Sequence, residues 1–110
     1  MAGLSLAWHL KGNVSIGPDQ GPAYRLDKDY DLIRVWARAK TLGGNMTYDI
    51  NGDGVSILSS AAVLTDRASE EEANVNASSV TLDEGVVITL DIDDAGSRSD
   101  ATIQLDLEEA

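Results

Sequence analysis

The stretch Asp49-Ile50-Asn51-Gly52-Asp53-Gly54 places oxygen-bearing side chains at alternate positions before a glycine, matching the opening of an EF-hand calcium loop. Calcium wants several hard oxygen ligands and a sharp bend, so the residue types suit the ion. The continuation does not. Ser60 stands at the twelfth place, where a bidentate Glu would close the site, and Ser56 stands at the eighth, where an apolar residue is expected. The flanks alternate as strands instead of running as helices. Asn-Gly-Asp-Gly is also hairpin chemistry, because Gly, Asn and Asp accept positive φ. A polar hairpin turn is therefore the expectation, with a loose strand-flanked calcium site as its alternative. Asp91, Asp93 and Asp94 read as a solvated strand end.

Catalytic patterns are thin. His9 is the single histidine, and no Ser, Cys or Asp motif accompanies it, so it reads as an exposed strand residue and not a general base. Nineteen acidic residues in 110 generate many chance carboxylate pairs, and none sits in an acid/base motif. No Gly-rich phosphate loop or G-x-S-x-G elbow occurs. The absence of cysteine removes thiol chemistry, Cys-ligated zinc and iron–sulfur clusters. The sequence thus leads us to expect no enzyme, no catalytic residue, no cofactor and no resident metal.

Trp36 is the more informative residue. If its strand buries Ile33, Val35, Ala37 and Ala39, the other face carries Leu32, Arg34, Trp36 and Arg38. A tryptophan between two arginines has the composition of an interface hot spot. It suits an oligomer contact, a sugar-stacking platform or a cation–π arrangement; a covering loop within the monomer would serve equally. Trp8, on a face with Leu4, Leu6 and Leu10, reads as core.

Period-two alternation runs through the whole chain and supplies the elements that position these residues. Leu4, Leu6, Trp8 and Leu10 form one apolar row; Met46, Tyr48 and Ile50 another; Val86, Ile88, Leu90 and Ile92 a third; Ile103, Leu105 and Leu107 a fourth. Turn residues punctuate the rows at Gly12-Asn13, Gly17-Pro18-Asp19, Gly43-Gly44-Asn45, Asn51–Gly54 and Ala95-Gly96-Ser97. Asp66–Ala73, with Glu70-Glu71-Glu72, reads as an exposed acidic loop. These features predict a single all-β domain over residues 1–110. Its expected form is an antiparallel two-sheet β-sandwich of about eight strands, jelly-roll-like.

The net charge of −11 is unevenly spread. Residues 1–40 hold six of the eight basic side chains against four acids, whereas residues 41–110 hold two against fifteen. A polyanion would be repelled by most of this surface, which argues against nucleic acid as a partner. Like charge keeps copies apart in solution; alternatively the basic third docks on the acidic remainder of a neighbouring copy. No apolar run is long enough for a bilayer span, and the opening residues lack a basic n-region, so neither membrane insertion nor a secretion signal is expected. The Asn-x-Ser/Thr sequons at Asn13, Asn45 and Asn76 carry little weight without one.

Taken in order, several segments resemble a β-sandwich domain of tailed-bacteriophage virion proteins, found at tail-fibre tips and as head-decoration or accessory proteins. They are Tyr30–Thr41 before a Gly-rich turn, Tyr48–Leu58 around Asp-Ile-Asn-Gly-Asp-Gly, Thr81–Asp93 with its Ile88-Thr89-Leu90-Asp91-Ile92-Asp93 run, and the closing Ala101–Leu105. The resemblance covers about residues 24–107 and consists of strand and turn signatures. It departs from the family pattern at Glu84-Gly85-Val86, where an acid usually follows the glycine, and in a shortened Asp94–Ala101 connection. It implies a non-catalytic virion protein, made in the host cytoplasm and soluble before assembly. Its partners would be other virion proteins or a host-surface glycan, and its assembly a homo-oligomer, with a trimer favoured. In that family the Asp-Ile-Asn segment is a hairpin without metal, and the face of Leu32, Arg34, Trp36 and Arg38 becomes a subunit or capsid contact. The rival expectation is a carbohydrate-binding β-sandwich module, calcium-assisted through Asp49, Asn51 and Asp53.

Overall fold

The computed structural model describes residues 3–40, 43–58, 62–72 and 81–110. Thr41, Ser60, Ala73 and the sequon at Asn76, each singled out from the sequence, lie outside these residues. Among the described residues ten strands occur, in the order β1 (Gly3–Asn13), β2 (Tyr24–Arg25), β3 (Tyr30–Ala39), β4 (Met46–Gly52), β5 (Val55–Ser56), β6 (Ala62–Leu64), β7 (Glu70–Glu72), β8 (Thr81–Leu82), β9 (Val87–Asp94) and β10 (Ser99–Glu109). Among the described residues there is no helix.

All pairings are antiparallel, and they follow one plan. β1 pairs with β10, β2 with β9, β3 with β7 and β8, and β4 with β5 and β6. The chain behaves as one long hairpin ribbon rolled up on itself. Further pairing of β10 with β3 and of β9 with β4 closes the roll into two five-stranded sheets. The first sheet runs β1-β10-β3-β7, with β8 also on β3; the second runs β2-β9-β4-β5, with β6 also on β4. Because β5 and β6 share one edge, and β7 and β8 another, the ten pieces amount to the expected eight-stranded jelly roll.

The apolar rows meet between the sheets. Met46, Tyr48, Ile50, Ile88, Leu90, Ile103 and Leu105 have no exposed surface. Trp8 is also fully buried, with its indole N–H donating to the Pro22 carbonyl at 2.7 Å and its ring edge-on to Tyr24 at 5.4 Å. The Tyr24 hydroxyl in turn donates to the Ala7 carbonyl at 2.7 Å, so β2 of one sheet is latched to β1 of the other.

Two expectations require correction. Leu32 is not on the outer face; it is 2% exposed, whereas Ile33 is 45% exposed. Pairing gives the reason: Asp106 lies opposite Arg34 but Leu107 lies opposite Leu32, so β3 carries one extra residue. This β-bulge reverses the inside–outside phase below it. The acidic stretch around residues 66–72 is not wholly loop either. Glu70–Glu72 form β7 along β3, with Glu70 opposite Arg38 and Glu72 opposite Trp36. Glu71 accepts hydrogen bonds from the Thr65 N–H and hydroxyl, and these hold its carboxyl below the usual range.

Candidate functional site

The outer side of the first sheet is an open face with β3 near its middle. Antiparallel register sets its side chains in rows across the strands. Arg34 stands beside Asp106 and Ser5; Trp36 stands between Gln104 and Glu72; Arg38 stands between Thr102 and Glu70. The structure thus brings together Arg34, Trp36 and Arg38 as expected from the sequence, and replaces Leu32 by Ile33. The bulge turns Ile33 and Arg34, consecutive in the chain, toward the same solvent.

Asp106 anchors this face. Its carboxylate accepts hydrogen bonds from Arg34 Nε at 2.7 Å, Ser5 Oγ at 2.7 Å and Gln104 Nε2 at 2.8 Å. Partial burial opposes its ionisation, but the bonds from Gln104, Ser5 and Arg34 outweigh that cost, and its pKa is lowered. One end of the Arg34 guanidinium is therefore fixed while more than half of the side chain remains exposed. Trp36 is half-buried among these neighbours. It lines a shallow depression of about 420 Å³ together with Arg34, Glu70, Glu72, Gln104 and Asp106. A second depression, containing Ile33, adjoins it across Arg34 and Asp106. Two apolar side chains thus flank a fixed ion pair on a flat surface, an arrangement that suits contact with a broad partner more than enclosure of a small molecule.

His9 lies on the same face, exposed, with Nδ1 3.0 Å from Thr102 Oγ1. Neither depression on this face includes it.

The calcium-like stretch is a two-residue hairpin. Gly52 pairs with Val55, and Asp53 and Gly54 both have positive φ, 51° and 82°, as a type I′ turn demands. Its oxygens are directed to protein donors. Asp49 Oδ1 accepts from Ser56 Oγ and the Ile50 N–H, and Asp53 Oδ1 from the Val87 N–H. Asn51 Nδ2 donates to Asp91 Oδ2 at 2.6 Å. Among the described residues no group of three or more His, Cys, Asp or Glu side chains is placed to hold a metal ion.

Sequence reasoning passed over Arg98. It is 1% exposed, and its guanidinium donates to the carbonyls of Gly44, Thr65 and Ala68 at 2.6–2.9 Å. One side chain thus ties the β3–β4 connection, at Gly44, to the β6–β7 connection, at Thr65 and Ala68, at one end of the sandwich. The available signal was its place directly after the Ala95-Gly96-Ser97 turn in an otherwise acid-rich half of the chain.

No family model, curated protein or solved structure matches the chain.

Proposed function

We propose that this domain is a non-catalytic structural protein of a phage or prophage particle, a capsid-decoration or tail-fibre accessory component. It would act by self-association and by attachment to other virion proteins or to a host surface. The observation that carries the reading is Trp36, half-buried at the centre of an open sheet face, with Arg34 fixed on one side by Asp106 and Arg38 on the other. Aromatic and arginine anchors on a flat surface are what protein interfaces concentrate. The jelly-roll architecture and the segmental resemblance to phage β-sandwich domains point the same way.

The test is attachment. Tagged protein is mixed with particles from the host strain that lack it, and co-sedimentation is measured for the natural chain and for Trp36→Ala. The expected result is binding by the former and at least a tenfold weaker binding by the latter, with unchanged thermal unfolding. Failure of the natural chain to associate with particles, together with saturable binding to a glycan panel, would replace this reading with that of a carbohydrate-binding module.

A further inference from the structure

The rolled ribbon has an electrostatic result. The first sheet alternates strands from the basic and acidic parts of the chain: β1 and β3 come from residues 3–39, β7 and β10 from residues 70–109. Its outer face is consequently striped. β1 presents His9 and Lys11 and no acid at all. β10 presents Asp106 between Gln104 and Glu108, β3 presents Arg34 and Arg38, and β7 presents Glu70 and Glu72. Read across the sheet, the order is basic, acidic, basic, acidic.

We propose that a second copy of this chain packs on this face, related by a two-fold axis that runs along the strands between β3 and β10. Such a rotation reverses the strand order, so β3 of each copy lies over β10 of the other, and β1 over β7. Every basic stripe then meets an acidic one, which is the self-complementarity an isologous contact needs. The row register is preserved. Arg34 sits over Asp106 of the second copy and Asp106 over its Arg34, converting one ion pair into a square of four charges. The two Trp36 side chains flank the axis, each over Gln104 of the other copy, and His9 faces Glu70. Face-to-face sheets pack about 10 Å apart with a modest twist between them, which leaves room for both tryptophans.

The pattern also marks the boundary of the contact. Beyond the bulge, Asp31 would lie over Glu108 of the second copy, like on like, so the contact starts at Ile33 and continues past Arg38 to the row of Lys11. Four strands over that length bury on the order of 500 Å² per copy, at the low end of specific interfaces, and the pairing is weak and concentration-dependent. Because it is built on exposed charge, it loosens as salt rises. The stripes specify two-fold pairing and not the trimer that the family resemblance suggests.

This inference rests on reading the Trp36 face as an assembly contact, and a charge-swap experiment separates the two. One variant carries Glu70→Lys and Glu72→Lys, the other His9→Glu and Lys11→Glu; all four positions are exposed, and thermal unfolding verifies that each variant folds. Sedimentation equilibrium at low salt should show a weak dimer for the natural chain and at least a tenfold loss of self-association for each variant alone. An equimolar mixture should recover a heterodimer at least as tight as the natural dimer, since β7 made basic then faces β1 made acidic while the remaining pair keeps its natural signs. If either variant alone still dimerises normally, or the mixture stays monomeric, the two-fold pairing is wrong although the face can still serve assembly. A natural chain that remains monomeric at millimolar concentration overturns the assembly reading as well. For variants that do not fold, the single changes Glu70→Lys and His9→Glu, which face each other in this pairing, are mixed instead, with the same two outcomes.

Discussion

Leu32 of β3 lies opposite Leu107 of β10, and both are buried, although Leu32 precedes Arg34 by two places and Leu107 follows Asp106 by one. The mismatch is absorbed at Ile33. A side chain that strict alternation assigns to the core is delivered to the surface, beside the Arg34–Asp106 pair.

Leu32 and Ile33 should therefore respond in opposite ways to truncation. Leu32→Ala removes a buried side chain and should cost about 2–4 kcal/mol in urea denaturation. Ile33→Ala should change stability by no more than about 1 kcal/mol, since half of the side chain is already in water. Equal losses at both positions would contradict the bulge.

Arg98 should be indispensable to folding although it touches no surface. Arg98→Met leaves the carbonyls of Gly44, Thr65 and Ala68 without their shared donor, at a cost of about 3 kcal/mol. Arg98→Lys should recover little, because one ammonium does not reproduce the planar fork that reaches three carbonyls in two loops. The midpoint of chemical denaturation measures both.

Gly54 and Gly96 have similar positive φ, 82° and 60°, but different surroundings. A Cβ at Gly54 meets nothing within 4 Å, whereas one at Gly96 would stand 2.5 Å from the Asn45 carbonyl oxygen and 2.6 Å from that of Gly44. Gly54→Ala should cost about 1 kcal/mol for backbone conformation alone. Gly96→Ala must move the 43–45 loop that Arg98 fastens, and its thermal midpoint should fall clearly further.

Acid should erase the benefit of Asp106. Its folded-state pKa is lowered, so the stability it confers is present above the ordinary carboxylate range and lost as pH falls through the folded value. Asp106→Asn should destabilise by about 1–2 kcal/mol at neutral pH, and the difference from the natural chain should vanish once acid protonates Asp106 in the folded state. A gap that persists in acid would mean that packing, not ionisation, supplies the effect.

Calcium and chelator should leave thermal unfolding unchanged, because Asp49 accepts from Ser56 within the hairpin, Asp53 accepts from the Val87 N–H of β9, and Asn51 is bonded to Asp91. A midpoint that rises with millimolar calcium would restore the metal reading of that turn.

Much of this was legible because alternation is a local signal. The rows through Met46–Ile50, Ile88–Ile92 and Ile103–Leu107 are buried as their spacing predicts, and the Asp53-Gly54 turn follows from what those residues permit at positive φ. Ile33 escaped because a bulge is decided by the partner strand: nothing in Leu32-Ile33-Arg34 tells which residue β10 will leave unpaired. Glu70–Glu72 escaped because a run of carboxylates has no apolar period, and the run becomes a strand through the register it finds against β3 and the bonds Glu71 makes to Thr65. Arg98 resembles any surface arginine until two loops, distant from it in sequence, converge on it. Trp36 was visible as an outward-facing tryptophan between two arginines, but the charge stripes around it required knowing which strands become neighbours.

Rolling a ribbon also has a kinetic consequence. β1 and β10 are joined along nearly their whole length, yet Leu6 and Leu105, which pair there, are almost a full chain apart. β10 is the second strand of its sheet and follows every other strand in the chain, so that sheet stays split until its central seam is filled. Contacts this distant make folding slow, in the range of milliseconds to seconds. On the ribosome, β1 with its Trp8 must wait for β10 to emerge, and during that interval an incomplete chain is a substrate for chaperones or a neighbour's strand.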